Sequence, residues 1–293
     1  MIYTLTLNPA LDYVMEPSSL IRGEVNRSES EKFIAAGKGI NVSNALDSLE
    51  VENIPIALVG SGFAGDEYMR LRKSCTNGVF IRVEDCDTRV NVKINSGGMI
   101  TEVNGSFTIN KKEVDEVFNA LSAVSDNDTV IISGSLPDGC DTDLYARIIT
   151  FLNEKKVTVI ADTSSEPMRE ILKQSEPLFL IKPNRHELGE IFCVEIESYD
   201  DAVTYAKKTG CRNVLVSMGA MGAVLVTQND VYIHEAPDVT PLYTVGAGDV
   251  LLAGFVAEYI RNNNFETALS AGVKTAGAYV ATSIIQPRIG TTV

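Results

Sequence analysis

Six short runs of aliphatic and β-branched residues, spread along the chain, constrain the fold more than any other feature of the sequence. The runs are IYTLTLN, IPIALVG, TVIISGS, VTVIADT, LFLIKPN and NVLVSMG. Continuous apolar runs of this length are typical of parallel strands that are buried on both faces. Segments with helical periodicity follow most of them, at 112–125, 141–155, 199–209 and 249–261. Repeated β–α units of this kind predict an α/β fold, a three-layer α/β/α sandwich.

Two stretches depart from this pattern. Residues 12–35 are polar and extended, and residues 79–109 alternate polar and apolar side chains in VFIRVED, TRVNVKINSGGMITEVNG and SFTIN. Gly97 and Gly98 in the second stretch suit a tight hairpin turn. We expect both stretches to form a small β-structured lid, inserted into a single domain that spans 1–293.

The negative net charge argues against two classes of binding partner. With 39 acidic and 25 basic residues the net charge is −14, so neither nucleic acid nor an anionic membrane is an expected partner. No apolar run approaches the roughly 20 residues of a membrane span. The N-terminus lacks the features of a signal peptide, which predicts a cytoplasmic protein. Five dispersed cysteines and two histidines suggest neither a disulfide framework nor a zinc site.

The stretch TVGAGD, residues 244–249, combines three small residues with an acid at the start of a predicted helix. Gly246, Ala247 and Gly248 would let three consecutive amides point at one anion, such as a phosphoryl group in transfer. Asp249 could then take the proton of an attacking hydroxyl. The alternative is that Asp249 is only a helix N-cap.

A second glycine-rich stretch, AAGKGINVSNAL, covers residues 35–46. It lacks the spacing and ending of a Walker loop. Either the backbone here and the Asn41 amide bind polyol hydroxyls, or the glycines only form a turn before a helix. A third stretch, VGSGFAGDEYM, contains Gly60-x-Gly62-x-x-Gly65, the form of a dinucleotide-binding fingerprint. Its strand is not the first of the chain, so a nicotinamide-dependent dehydrogenase is a remote alternative.

Nine stretches in order resemble the ribokinase-like (PfkB) carbohydrate kinase family, and above all its hexose-phosphate branch. They are TLTLNPALDY, GEVNRS, AGKGINVS, DTRVNVKI, SGSLPDG, DTSSE, IKPNRHEL, VSMGAMGAVLV and TVGAGD. The resemblance implies a ribokinase-like sandwich with a Rossmann-like core and a lid that often forms part of a dimer interface. It also implies ATP- and Mg²⁺-dependent transfer of a phosphoryl group, with fructose 1-phosphate as the expected acceptor and fructose 1,6-bisphosphate as the product.

The resemblance assigns roles to individual residues. Asp249 matches the catalytic base, and Gly246, Ala247 and Gly248 match the anion hole. The residues that match the substrate site are Asp12, Gly37, Lys38, Gly39, Asn41, Arg89 and Arg27, the two arginines as cations for the phosphate that the substrate already carries. The residues that match the ATP site are Lys182, Asn184, Ser217, Gly219 and Gly222, although Lys182 could equally be a strand-end lysine. Asn184 and Glu187 form the N-x-x-E motif that is associated with magnesium through water, and the adenine is expected near 266–283.

Some positions depart from the family pattern. Ala36 stands where the family has Gly, Tyr243 replaces a small polar residue, and Val250 replaces Ser. The lid is shorter than the common form, and the chain ends at RIGTTV without the final helix of many relatives. These departures leave the sugar open: tagatose 6-phosphate and fructose 6-phosphate are alternatives, and a catalytically silent sugar-phosphate sensor is a remote one.

Overall fold

The computed structural model of the chain describes residues 1–73, 77–174 and 178–282. The strands are β1 (Ile2–Thr6), β2 (Ala10–Pro17), β3 (Ser28–Ala36), β4 (Asn53–Gly60), β5 (Val79–Val83), β6 (Arg89–Ser96), β7 (Met99–Asn104), β8 (Thr129–Ser133), β9 (Thr158–Asp162), β10 (Leu180–Ile181), β11 (Val214–Ser217), β12 (Ala223–Val226) and β13 (Val231–His234). The helices are α1 (Lys38–Ser48), α2 (Phe63–Leu71), α3 (Lys111–Leu121), α4 (Leu144–Asn153), α5 (Ser165–Leu172), α6 (Arg185–Phe192), α7 (Tyr199–Lys208), α8 (Ala247–Asn262) and α9 (Phe265–Thr282).

The first strand of the chain lies inside the central sheet, because it is apolar on both faces. This sheet has the order β13-β12-β11-β10-β9-β8-β1-β4-β5, and β1 pairs in parallel with both β4 and β8. All six predicted buried strands lie in it. β1 has β8 on one side and β4 on the other, so the connections between strands run in opposite directions from β1. In open α/β sheets, ligands bind beyond the carboxyl ends of the strands at such a switch point.

Helices cover the two faces of the central sheet. Residues of α3 to α7 pack into one hydrophobic cluster, and α1, α8 and α9 pack into another on residues of the opposite face. Side chains on opposite faces of one strand pack into different clusters: in β1, Leu5 packs into the first cluster and Ile2 into the second. The predicted three-layer α/β/α sandwich is confirmed. Within the described residues, no helix is long and apolar enough to cross a membrane.

A second, smaller sheet has the order β3-β2-β6-β7. β2 pairs in parallel with β6, and the other pairs are antiparallel. Gly97 and Gly98 link β6 to β7 with φ values of 58° and 79°, so the predicted hairpin turn is present, in the conformation that favours glycine. Helix α2 contacts both β2 and β3 and connects this sheet to the rest of the molecule.

Part of the predicted lid belongs to the core instead. Residues 79–83 form β5, which pairs in parallel with β4 at the edge of the central sheet, so their assignment to the lid is wrong. The stretch SFTIN is also misassigned, because Phe107 and Ile109 are buried in the hydrophobic core. A strand at a sheet edge with only one buried face shows the same alternation as a lid hairpin, which explains the error. The predicted ending at RIGTTV lies outside the described residues.

Candidate active site

A cavity of about 1050 Å³ opens between the small sheet and the carboxyl ends of the central strands. All but two of the site residues that the sequence predicts line this cavity. They are Asp12, Gly37, Lys38, Asn41, Arg89, Lys182, Asn184, Glu187, Ser217, Gly219, Gly222, Gly246, Ala247, Gly248 and Asp249. The strands meet at one edge of the sheet, so residues separated by more than 200 positions converge there.

Gly39 and Arg27 are not among the lining residues. Gly39 packs against β1, where an added Cβ would lie 2.5 Å from Thr6 Oγ1 and 2.7 Å from the Leu5 carbonyl oxygen. A glycine is therefore required there by the close approach of two backbones, not by a ligand. Arg27 is exposed in the connection between β2 and β3. The predicted direct role of both residues in substrate binding has no support in this geometry.

The loop before α8, where the sequence predicts an anion-binding turn, has fewer available amides than predicted. Gly246 has a φ of 84° at the start of the helix, a conformation that favours glycine. The Ala247 amide donates to the Thr244 carbonyl at 3.2 Å, so it does not point freely at a ligand. In the part of the chain that the structure describes, the Gly246 and Gly248 amides have no such partner. The Tyr279 hydroxyl donates to the Val245 carbonyl at 2.6 Å and holds the loop on α9.

Asp249 is buried at the base of this loop. It is the third residue of α8 and makes no capping hydrogen bond, which removes the simple N-cap interpretation. Asn41 Nδ2 donates to Asp249 Oδ2 at 2.7 Å, so the second glycine-rich stretch orients this carboxylate. Burial, together with the charge of Asp162, raises the pKa of Asp249 to about 6, although Lys38 partly offsets the shift. A carboxylate with such a pKa suits a general base near neutral pH.

Two lysines share one buried carboxylate beside Asp249. Asp162, at the end of β9, lies 3.2 Å from Lys38 Nζ and 3.2 Å from Lys182 Nζ. Burial alone would raise the pKa of Asp162, but Lys182 and Lys38 lower it below its ordinary value. The same pairing raises the pKa of Lys38, chiefly through Asp162. Lys38 therefore stays protonated at neutral pH, beside the buried carboxylate.

The Lys182 ammonium faces the anion-binding turn. A Cβ added to Gly248 would lie 3.3 Å from Lys182 Nζ, so this cation lies directly against the turn. The predicted phosphate contact of Lys182 stays a prediction. Sequence reasoning missed Asp162, although an acid at the carboxyl end of a parallel strand was an available signal.

The N-x-x-E motif forms a capping box at the start of α6. Asn184 Oδ1 accepts from the His186 and Glu187 amides at 2.8 and 2.9 Å, and Glu187 Oε2 accepts from the Asn184 amide at 2.8 Å. The other carboxylate oxygen of Glu187 lies 3.4 Å from Lys38 Nζ. No group of three or more acidic, histidine or cysteine side chains suited to a metal exists among the described residues. These donors fit Mg²⁺ held through water and substrate phosphates, because Mg²⁺ keeps much of its water shell.

The opposite wall of the cavity belongs to the small sheet. Asp12 accepts from Asn91 Nδ2 at 3.0 Å and pairs with Lys93 Nζ at 2.7 Å. Arg89 donates to the carbonyls of Asn8 and Pro9 at 2.9 and 3.2 Å. Lys93 and Asn91 also line the cavity, and sequence reasoning had assigned neither to the site.

The far end of the cavity, beyond Ser217, is lined mostly by small and apolar residues. Gly219 has a φ of 64° and open space beside it, whereas a Cβ at Gly222 would lie 2.1 Å from the His234 carbonyl oxygen. Gly222 is therefore needed for packing against β13. Pro237 packs directly on Gly277 of α9, where an added Cβ would lie 2.2 Å from the proline Cγ. Both residues line this end of the cavity, and Gly277 falls within the segment expected near adenine.

The departures from the family pattern have separate places in the structure. Ala36 is buried at the end of β3, where its carbonyl accepts from the Tyr68 hydroxyl at 3.3 Å. Tyr243 is half-buried, and its ring packs edge-on against Tyr279 at 6.3 Å. Val250 is buried in the cluster of α1, α8 and α9. None of them fills the anion-binding turn.

The dinucleotide-like stretch is blocked by the protein itself. Asp87 accepts hydrogen bonds from the Ala64 and Gly65 amides at 3.0 and 2.8 Å. These are the first amides of α2, where a pyrophosphate would have to bind. A Cβ at Gly60 would lie 2.2 Å from the Thr88 amide nitrogen, so the glycines serve internal packing. This geometry contradicts the dehydrogenase alternative.

Comparison with known proteins agrees with the site. A model of the pfkB family carbohydrate kinases matches residues 5–287. The 1-phosphofructokinase of Bacillus subtilis (strain 168) is 37% identical over 95% of this chain and 92% of that protein. The D-tagatose-1-phosphate kinase of Klebsiella oxytoca is 32% identical over 97% and 93%. The crystal structure of phosphofructokinase-2 from Escherichia coli with potassium has the same fold, with a TM-score of 0.89 at 24% identity over 97% of this chain and 94% of that one. The chain belongs to the pfkB family of carbohydrate kinases.

Proposed function

We propose that this protein transfers the γ-phosphoryl group of ATP to the 6-hydroxyl of fructose 1-phosphate, giving fructose 1,6-bisphosphate and ADP. The observation that carries the proposal is Asp249, a buried carboxylate with a raised pKa beside two available amides. It lies in a cavity whose lining includes Asp12, Asn91 and Arg89 on the small sheet, and Lys182 with the glycine turn on the central sheet. The similarity to 1-phosphofructokinase over nearly the whole chain supports the choice of sugar.

The chemistry follows from the positions of these side chains. Asp249, oriented by Asn41, accepts the proton of the 6-hydroxyl as that oxygen attacks the γ-phosphorus. The Gly246 and Gly248 amides and the Lys182 ammonium stabilise the negative charge on the transferring group. Asn184 and Glu187 would hold Mg²⁺ through water, and the ion would neutralise phosphate charge. ADP leaves with the bond between the β-γ bridging oxygen and the γ-phosphorus broken.

Arg89 is the proposed holder of the phosphate that the sugar already carries. Among the described residues its guanidinium bonds only to backbone carbonyls and has no carboxylate at ion-pair distance, so its positive charge can meet a phosphate dianion. Asp12, on the neighbouring strand, is the proposed acceptor for sugar hydroxyls. The small sheet then acts as a lid, because a ligand that touches both sheets favours their closure.

The test is coupled ADP release with Mg²⁺ and ATP, comparing kcat/KM for four ketohexose phosphates. They are fructose 1-phosphate, tagatose 1-phosphate, fructose 6-phosphate and tagatose 6-phosphate. We expect a preference for fructose 1-phosphate of about tenfold or more, equal to about 1.4 kcal/mol of transition-state discrimination. Preference for a 6-phosphate would reverse the orientation of the sugar. Ligand-induced thermal stabilisation without ADP release would instead identify a silent sensor.

We also propose that the small sheet pairs two copies of the chain. One apolar residue from each strand, Phe33, Tyr13, Val92 and Val103, forms a continuous row across its outer face in the observed register. Val103 is 62% exposed. Exposed apolar rows of this kind mark interaction surfaces, and a second copy buries them symmetrically. The expected site of action is the cytoplasm, which supplies ATP.

A further inference from the structure

Strand β6 points three polar side chains into the cavity. Arg89, Asn91 and Lys93 alternate along the strand, so they share one face of the small sheet, and all three line the cavity. The register places Asp12 opposite Asn91, and Glu102 of β7 opposite Lys93. The proposed function uses Arg89 and Asp12 but gives no role to Asn91 or Lys93.

Lys93 is a buried cation with hydrogen-bonding capacity to spare. Its side chain is 11% exposed, and its ammonium lies 2.7 Å from Asp12 Oδ2 and 3.9 Å from Glu102 Oε1. An ammonium has three donors, and of these two carboxylate contacts in the described part of the chain only the one with Asp12 has hydrogen-bond length. At least one donor therefore remains for a ligand in the cavity.

Whereas Lys93 has an unused donor, the side chain of Asn91 has an unused acceptor. Its amide nitrogen donates to Asp12 Oδ1, which leaves its own oxygen, Oδ1, directed away from the carboxylate. That oxygen is buried and accepts no hydrogen bond within the described residues. A buried acceptor without a partner is costly, and a hydroxyl of a bound ligand would satisfy it. Asn91, Asp12 and Lys93 thus offer two acceptors and a donor side by side.

The charged side chains around Lys93 indicate which part of a sugar phosphate would bind there. Asp12 and Glu102 both lie beside Lys93, and Asp12 also acts on Arg89, so the Lys93 end of the face is less favourable for a phosphate dianion than the Arg89 end. Arg89 has no carboxylate at ion-pair distance in the described part of the chain and suits the phosphate instead. A sugar hydroxyl both donates and accepts, and it fits the mixed set around Lys93 without adding charge.

We propose that Lys93 and Asn91 are specificity-determining residues that form hydrogen bonds with the ring hydroxyls of the ketohexose phosphate. Lys93 donates to one hydroxyl, Asp12 accepts from the same or the adjacent hydroxyl, and Asn91 Oδ1 accepts from the next. Fructose and tagatose differ only in the configuration at carbon 4, so a fixed row of donors and acceptors distinguishes them. This inference rests on the proposed function, because it concerns the sugar half of the same site.

The first experiment compares Lys93→Met and Lys93→Arg with the wild-type protein on fructose 1-phosphate and tagatose 1-phosphate. The matched control is Lys32→Met, which removes an exposed lysine from the same sheet. We expect Lys93→Met to raise the KM for the ketohexose phosphate tenfold or more, with the KM for ATP within twofold of wild type. The ratio of kcat/KM between the two sugars changes at least threefold in both Lys93 variants, and Lys32→Met leaves it unchanged.

The second experiment separates sugar contact from a merely structural role. Ketohexose 1-phosphates that lack the 3- or the 4-hydroxyl are compared with the parent sugar in wild type, Lys93→Met and Lys93→Arg. If Lys93 contacts one of these hydroxyls, removing it costs the wild type tenfold or more in kcat/KM but costs Lys93→Met less than threefold. Should Lys93→Met fail to fold, Lys93→Arg provides the same comparison, because it keeps a cation beside Asp12 but moves the donors into a longer planar fork.

Equal penalties in the wild type and the Lys93 variants, together with an unchanged sugar ratio, would overturn the inference and leave the proposed function standing. Absence of turnover by the wild type with all four ketohexose phosphates would instead refute the proposed function itself.

Discussion

At the scale of the single residue, the local environment keeps Asp249 ready to accept a proton. Removing the charge of this side chain should affect catalysis and stability in opposite directions. We expect Asp249→Asn to lower kcat by about two to four orders of magnitude, the usual contribution of a general base. The amide is similar in size to the carboxylate and preserves the packing around α8. Coupled ADP release measures the effect, and near-normal turnover would refute the assignment of the base.

The same substitution should stabilise the fold. The pKa of Asp249 is raised from 3.8 to about 6 by burial and by Asp162, so the unfolded chain ionises more readily than the folded one. Stability is lost as the pH rises above the unfolded value, and the loss is complete above the folded pKa. Asp249→Asn is therefore expected to raise Tm more at pH 8 than at pH 5. An equal change at both values would contradict the raised pKa.

Asp162 should control the pH at which Asp249 works. Its negative charge is a cause of the raised pKa of Asp249, and it also pairs with Lys38 and Lys182. Asp162→Asn removes the repulsion and takes a carboxylate partner from both cations, so the pKa of Asp249 falls. We expect the acidic limb of the kcat/KM profile, which reports the free enzyme, to move to lower pH. An unshifted limb with reduced activity would indicate a purely structural role.

At the scale of the element, the position of the loop before α8 depends on α9. The Tyr279 hydroxyl holds the Val245 carbonyl, and the net contribution of one such hydrogen bond is about 0.5–1.5 kcal/mol. If that contribution is used to position the anion-binding amides, Tyr279→Phe lowers kcat up to about tenfold. Tyr259→Phe, on α8, is the control. Steady-state kinetics with saturating sugar measure the difference, and equal rates for both variants would exclude this role.

The elements themselves were largely predictable. Parallel strands such as β1 and β8 are buried on both faces and leave an unmistakable apolar run. Strand β5 was misassigned because only one of its faces is buried, so its alternation resembles that of the lid. Within the site, Asp249 was predictable from its glycine-rich loop. Asp162 and Lys93 were not assigned, because their significance comes from partners 124 and 81 residues away that only the folded chain brings near.

At the scale of the whole molecule, the small sheet has two faces with opposite chemistry. Its inner face carries Asp12, Asn91 and Lys93, and its outer face carries the row from Phe33 to Val103. Alternation along each strand produces this division, so the strand that reads the sugar also carries the proposed dimer surface. Pairing of two copies would stiffen the sheet and hence the sugar site. Disruption of the pairing should therefore affect sugar binding more than ATP binding.

Val103→Glu tests this coupling, because it places a charge at the most exposed end of the apolar row. We expect sedimentation velocity to show a dimer for the wild type and a monomer for Val103→Glu, since burying an unpaired charge is costly. The control is Ile260→Glu, at a residue of α8 that is 52% exposed and lies outside the small sheet. The KM for the sugar phosphate should rise in Val103→Glu and not in the control. A monomeric wild type would refute the pairing, and a monomeric variant with unchanged sugar KM would show that the two faces act independently.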